Sequence, residues 1–138
     1  MNARVPGVGC GAAIVRDGYL LLVKRRRPPE AGFWNLPGGK VDFGERVEDA
    51  IVREIGEEIG VRVALLRPLG VVQMIGLDDQ HWVSSIHLAE IVAGEPENRE
   101  PGKHEAIVWA PLDAPPSPLA LAARETIAAL AHGRDART

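Results

Sequence analysis

The feature that most limits how this chain can fold lies in residues 46–60. Val47, Ile51, Ile55 and Ile59 recur every four residues, a spacing that gives an α-helix one apolar stripe and predicts a helix over Arg46–Ile59. Glu45, Glu48 and Asp49 stand near its positive end, where acids are favoured, and Gly60 is the residue expected to stop it in a left-handed conformation. The same helix carries Glu54, Glu57 and Glu58 at i, i+3 and i+4, so three carboxylates emerge from one face within one turn. Glu57 and Glu58 fall in the last turn, where the helix dipole disfavours each acid by ~0.3–1 kcal/mol. A solvated acidic face is the ordinary reading of such a triplet. A hard divalent cation, which takes carboxylate and phosphate oxygens as ligands, would reverse both the repulsion and the dipole penalty.

Around this helix the chain reads as strands. Val8–Val15 is short and nearly all apolar, as in a strand buried on both faces. Asp17-Gly18 is a hairpin signal, and Tyr19–Lys24 is the returning strand. Pro28–Gly32 reads as loop, and Pro37-Gly38-Gly39 as a second break whose glycines let backbone approach a ligand closely. Two strands follow, Val63–Ile75 with an interruption at Pro68, and Trp82–Val92, joined by a turn at Gly76–Asp79. Residues 93–103 form a polar loop, Ala106–Trp109 a short strand, and Ser117 with Pro118 predicts the cap and first position of a helix reaching about His132, with Gly133–Thr138 frayed. Strands and two helices mix without regular βα alternation, which favours an α+β sandwich with a mixed sheet over a doubly wound parallel one.

With 138 residues, 46% of them hydrophobic and 25% charged, the chain is expected to be one globular domain spanning 1–138. A net charge of −3 gives no support to a nucleic-acid-binding surface, and any anionic substrate would be met locally, by a cation or a small basic cluster. One cysteine, Cys10, forbids an internal disulfide and a cysteine-cluster metal site. No apolar run approaches the ~18 residues of a membrane span, and Met1–Gly9 lacks the order of a signal peptide, so a cytoplasmic location is expected.

The run Gly39-Lys-Val-Asp-Phe-Gly-Glu45, seven intervening residues, then Arg53-Glu54-Ile55-Gly56-Glu57-Glu58-Ile59-Gly60-Val61 resembles the Nudix box. Every fixed residue and both aliphatic positions of that box are filled, a coincidence with a chance on the order of 10⁻⁸ to 10⁻⁷ at average residue frequencies. The resemblance implies the Nudix fold, a three-layer α/β/α sandwich with a mixed sheet. It also implies a pyrophosphohydrolase dependent on Mg²⁺ or Mn²⁺ that acts on a nucleoside diphosphate linked to a further group. Carried over to this chain, Glu57 and Glu58 become metal ligands, and Glu54 a further ligand or the base that deprotonates the attacking water. The backbone carbonyl of Gly38 completes the metal shell, and Arg53 pairs with Glu45 to hold the helix against the loop and orient the acids, with Gly39 as support.

Outside the box the likeness is looser. The loop Gly94–Glu105 resembles the one that supplies MutT-like members with an additional acid near the metal, with Glu100 the first candidate and Glu105 the second. Arg25, in the basic run Lys24–Arg26, and Lys40 are candidate substrate contacts. Phe33 and Trp34 before the glycine loop and His81-Trp82 at the start of a later strand could stack on a base, with Trp34 and His81 the chosen candidates, while His87 reads as structural or pocket-lining and His104 carries no signal. Within the family the short chain and the Pro-Gly-Gly-Lys-Val-Asp-Phe-Gly-Glu run favour cleavage of a (deoxy)nucleoside triphosphate to the monophosphate and pyrophosphate. The proline that many ADP-ribose-directed relatives carry is absent, its position being Leu77. ADP-ribose or another nucleoside diphosphate derivative is the alternative, and a nucleotide-sensing domain without turnover a third. A small-molecule nucleotide is the expected partner, and a homodimer is among the assemblies that the resemblance allows.

Overall fold

The computed structural model describes residues 4–137, with side chains described as far as His132. β1 (Gly7–Arg16) and β2 (Tyr19–Arg25) form the predicted hairpin, with Asp17 and Gly18 both at positive φ in the turn. Two short strands follow where sequence alone indicates only loop and turn, β3 (Trp34–Asn35) and β4 (Gly38–Lys40), and then helix α1 (Val47–Ile59). β5 (Arg62–Leu77) and β6 (Gln80–Ala93) make a long hairpin closed at Asp78-Asp79, both residues at positive φ, and β7 (His104–Pro111) leads to helix α2 (Leu121–Arg137). The strand order is β3-β2-β1-β6-β5, with β4 paired to β1 and β7 to β2. The β1–β6 pair is parallel and the others antiparallel, so the sheet is mixed.

Period-two alternation in the two central strands builds a core on each face of the sheet. Cys10, Ala12 and Ile14 of β1, with Leu21 and Val23 of β2, pack with Ile51, Ile55 and Ile59 of α1. Ala13, Leu20 and Leu22 point the other way and pack with Ala122, Ala123 and Leu130 of α2. The result is the expected α/β/α sandwich. The three isoleucines of α1 are fully buried, and each contributes about 1.5–3 kcal/mol by leaving water. Gly60 ends the helix at φ 72°, and its N–H returns to the Gly56 carbonyl.

Strand ends shift from the sequence reading by one or two residues, and three features differ more substantially. Pro68 does not interrupt β5: the strand lies at the sheet edge, where a residue without N–H is tolerated, and the pairing with β6 absorbs it through irregular register on either side. Ser117-Pro118 does not start α2. The backbone there pairs instead with β3, the Trp34 N–H reaching the Pro118 carbonyl (2.9 Å) and the Ala120 N–H the Trp34 carbonyl (2.8 Å), so the helix begins at Leu121. Its end lies beyond His132, because Gly133 costs a helix only about 1 kcal/mol and no proline follows. Thr138 lies outside the described residues. No helix among the described residues is long and apolar enough to cross a membrane.

Candidate active site

The site is assembled where α1, β4 and the β6–β7 loop meet. Ala50, Glu54 and Glu58 form a row beside the isoleucine stripe, which places two carboxylates at the edge of the buried face rather than in solvent. β4 supplies the wall opposite them. Gly38 pairs with Gly11 and Gly39 with Cys10, and a Cβ on Gly38 would collide with the Cys10 carbonyl. A Cβ on Gly39 would strike the Glu54 carboxylate, so that acid rests directly against bare backbone. The Gly38 N–H donates to Glu58 Oε1 at 2.8 Å.

Arg53 organises the helix acids. Its Nε and one terminal nitrogen donate to both oxygens of Glu45 at 2.8 Å each, a fork-on-fork pair across the loop that leads into the helix. The other terminal nitrogen donates to Glu54 and to Glu57 at 3.0 Å each, and the first also reaches the Lys40 carbonyl at 3.1 Å. The guanidinium holds the Glu45 carboxyl down at about 2, and Glu45 in return raises the pKa of Arg53.

The β6–β7 loop brings the fourth acid. α1 ends with carbonyls that need donors, and the loop provides them: the Glu97 N–H reaches the Ile59 carbonyl (3.0 Å) and the Arg99 N–H the Glu58 carbonyl (2.9 Å). That docking carries Glu100 into the field of Glu58. One Glu100 oxygen is buried without a hydrogen-bond partner among the described residues; Lys103 Nζ stands 3.4 Å from it but out of alignment. Burial, then the charges of Glu54 and Glu100, push the Glu58 carboxyl up to about 8 against the opposing pull of the Gly38 N–H. Glu105 turns away and pairs with Lys24 at 3.7 Å. His104 is buried with Nε2 3.8 Å from Glu58 Oε2 and, among the described residues, no partner for Nδ1, and burial holds it down at about 4.

Among the described residues no three His, Cys, Asp or Glu side chains are gathered into a ready-made metal cage. Glu57, half exposed, is held by Arg53, while Glu54 and Glu58 lie against β4. The donor set nonetheless suits a hard cation: all carboxylate oxygen, on one helix and one loop, mutually repelling and beside side-chain-free backbone.

A cleft of about 220 Å³ opens beside β4, room for an organic ligand rather than for a water or two. Gly38, Gly39, Lys40 and Arg25 line it, together with Glu30, Asn35, Met74, Gln80, Trp82, Ser84 and Ala122. Two candidate contacts fall elsewhere. Trp34 packs into the α2-side core with Lys24 over its ring at 5.8 Å, and its neighbour Asn35 lines the cleft instead. His81 is exposed on the opposite face of β6, and Trp82 takes the cleft position. Arg25 donates through Nε to the Pro29 carbonyl at 2.7 Å. Glu30 and His104 acquire their places through contacts distant in sequence and carry no local signal, whereas Trp82 is one of the aromatics that the sequence offers for stacking.

A fold of this topology, with an Arg53-centred acidic helix against a glycine strand, defines the class. The chain belongs to the NUDIX family, whose domain model matches residues 4–130. Its structure superposes on the crystal structure of a MutT NUDIX hydrolase from Burkholderia pseudomallei with a TM-score of 0.88 and 50% identity, over 92% of this chain and 99% of that one. An ADP-ribose pyrophosphatase of Methanocaldococcus jannaschii is 38% identical over 91 residues, 65% of this chain and 54% of that protein. A Mycobacterium tuberculosis protein named "Putative 8-oxo-dGTP diphosphatase 2" is 40% identical over 101 residues, 70% of this chain and 67% of its own length. The chain thus spans little more than half of the archaeal relative.

Proposed function

We propose that this protein, a single Nudix domain, is a Mg²⁺- or Mn²⁺-dependent pyrophosphohydrolase that cleaves a (deoxy)nucleoside triphosphate to the monophosphate and pyrophosphate. The observation that carries the proposal is the arrangement of Glu54, Glu57 and Glu58 around Arg53 and β4, at the edge of an open cleft with two basic residues in its wall. When bound, the cation supplies neutralisation of the phosphate oxygens and a water of lowered pKa. Glu57 and Glu58 hold it, with Glu100 and the Gly38 carbonyl as further oxygen donors. Glu54 is a ligand or the base that takes the proton of the attacking water.

Arg53 works through others. Its bidentate grip on Glu45 fixes the loop to the helix, and its second terminal nitrogen aims Glu54 and Glu57. Arg25 and Lys40 in the cleft wall meet the charge of the phosphate chain and hold the bound nucleotide there. The name of the Mycobacterium tuberculosis relative, "Putative 8-oxo-dGTP diphosphatase 2", supports the triphosphate reading; the archaeal relative's name keeps ADP-ribose as a second substrate class. The test is a panel with Mg²⁺ containing canonical and oxidised deoxynucleoside triphosphates, ADP-ribose and diadenosine polyphosphates. Pyrophosphate release from the triphosphates supports the proposal. Turnover of ADP-ribose alone would replace it with the second class.

A further inference from the structure

Besides β1, β3 and β4, three segments wall the cleft: the loop after β2 (Pro28, Pro29, Glu30), the end of the β5–β6 hairpin (Met74, Gln80, Trp82) and the first turn of α2 (Ala122). Glu30 bonds to both of the others. Its carboxylate Oε2 accepts the Leu121 N–H at 2.8 Å, serving α2 as a cap from 91 residues away, and its own N–H donates to Asp78 Oδ2 at 3.0 Å in the hairpin turn. The side chain is buried, 8% exposed, and the backbone takes φ 62°, a left-handed conformation that a glutamate adopts only when its surroundings demand it. On either side the loop is tied back to β2, through Arg25 Nε to the Pro29 carbonyl (2.7 Å) and the Gly32 N–H to the Arg25 carbonyl (2.7 Å). On the hairpin side, two residues beyond Asp78, Gln80 Oε1 accepts the Trp82 indole N–H at 2.8 Å and fixes the ring in the cleft wall.

We propose that Glu30 is a positioning residue: with Asp78 it clasps loop, hairpin and α2 together, and so holds Arg25 and the Trp82 wall in register for the nucleotide. The inference rests on the cleft being the nucleotide site. None of these contacts touches Glu54, Glu57 or Glu58, so the clasp sets how well substrate is gripped and leaves the chemical step alone.

The test compares Glu30→Gly, which removes the carboxylate at no backbone cost where φ is positive, with Glu30→Gln, whose amide oxygen still accepts the Leu121 N–H. Asp78→Gly breaks the other half of the clasp on an exposed turn, where folding is not at stake. In the ligand-free protein the Leu121 amide should exchange about tenfold faster in Glu30→Gly than in Glu30→Gln. With Mg²⁺ and dGTP, or ADP-ribose if that is the ligand turned over, Glu30→Gly and Asp78→Gly should raise KM by about tenfold and several-fold respectively, with kcat within about twofold and Glu30→Gln near the parent. A parent that turns over neither nucleotide removes the functional reading and this inference with it. An active parent whose KM is unchanged in both glycine variants, a kcat that falls while KM holds, or equal Leu121 exchange in Gly and Gln variants overturns the clasp alone.

Discussion

Gly38 and Gly39 are neighbours in one short strand, yet a methyl group on each should have opposite consequences. Neither has a positive φ, so alanine is acceptable to the backbone at both, and the outcome depends on what the new Cβ meets. At Gly38 it meets the Cys10 carbonyl and the Gly11 Cα, main-chain atoms of β1 that cannot yield without opening the β1–β4 pairing. Overpacking of that kind costs about 1–3 kcal/mol. For a chain of this length that is a fall in Tm of roughly 3–12 °C. At Gly39 the Cβ meets the carboxylate of Glu54, the far end of a flexible side chain, which can retreat by about 1 Å and leave the fold intact. Such a displacement of a reacting group costs on the order of 10²-fold in rate. Gly39→Ala should therefore melt within about 3 °C of the parent while its kcat with Mg²⁺ falls about a hundredfold. Calorimetry and steady-state pyrophosphate release read the two effects separately. A Gly39→Ala enzyme with parental kcat, or one that loses as much Tm as Gly38→Ala, would refute the placement of Glu54 at the reacting centre.

Other outcomes follow from the same contacts. Arg53→Lys keeps the charge but not the planar fork that grips Glu45 while touching Glu54 and Glu57, so kcat should drop at least about tenfold with a small change in Tm; full activity would remove its orienting role. The metal-free protein should lose stability between about pH 6.5 and 8.5, by up to ~1.4 kcal/mol per pH unit. Glu58, pushed up to about 8, keeps a proton that the unfolded carboxyl has released above about 4.3, so its contribution is complete at low pH and is lost as pH rises through 8. His104, held down at about 4, has the opposite sign and acts only below about 6.5, where it offsets Glu58. Urea unfolding in chelator across that window checks the slope, and a rise in stability from pH 6.5 to 8.5 would contradict the buried Glu58. Gly60→Ala puts a Cβ at φ 72° against the Arg99 guanidinium and should cost about 1–2 kcal/mol through the helix stop, visible as a lower urea midpoint.

What the sequence made legible was whatever is encoded within a few residues. The isoleucine stripe places α1, the alternation in β1 and β2 builds both cores, and Asp17-Gly18 and Gly60 end their elements as local chemistry requires. The pairing of Arg53 with Glu45 was legible through the resemblance to the Nudix box, and the structure shows it as a bidentate contact. Contacts that join distant segments were not legible. Ser117-Pro118 has the composition of a helix start, but its backbone is claimed by Trp34 and the cap comes from Glu30. His104 gave no local sign because its burial against Glu58 depends on the β6–β7 loop docking onto the end of α1. At the cleft, adjacent residues exchange roles: Asn35 for Trp34 and Trp82 for His81, since strand register decides which of two neighbours faces inward.

The central claim is that the helix acids bind a divalent cation on which cleavage depends. Calorimetric titration of Mn²⁺ into the parent and into Glu57→Gln and Glu58→Gln, with triphosphate turnover followed before and after chelation, addresses it most directly. The account predicts saturable binding by the parent, affinity weakened at least about tenfold in each variant, kcat lower by orders of magnitude, and parental activity abolished by chelator and restored by Mg²⁺. Equal Mn²⁺ binding by all three proteins, or turnover that survives chelation, would contradict it.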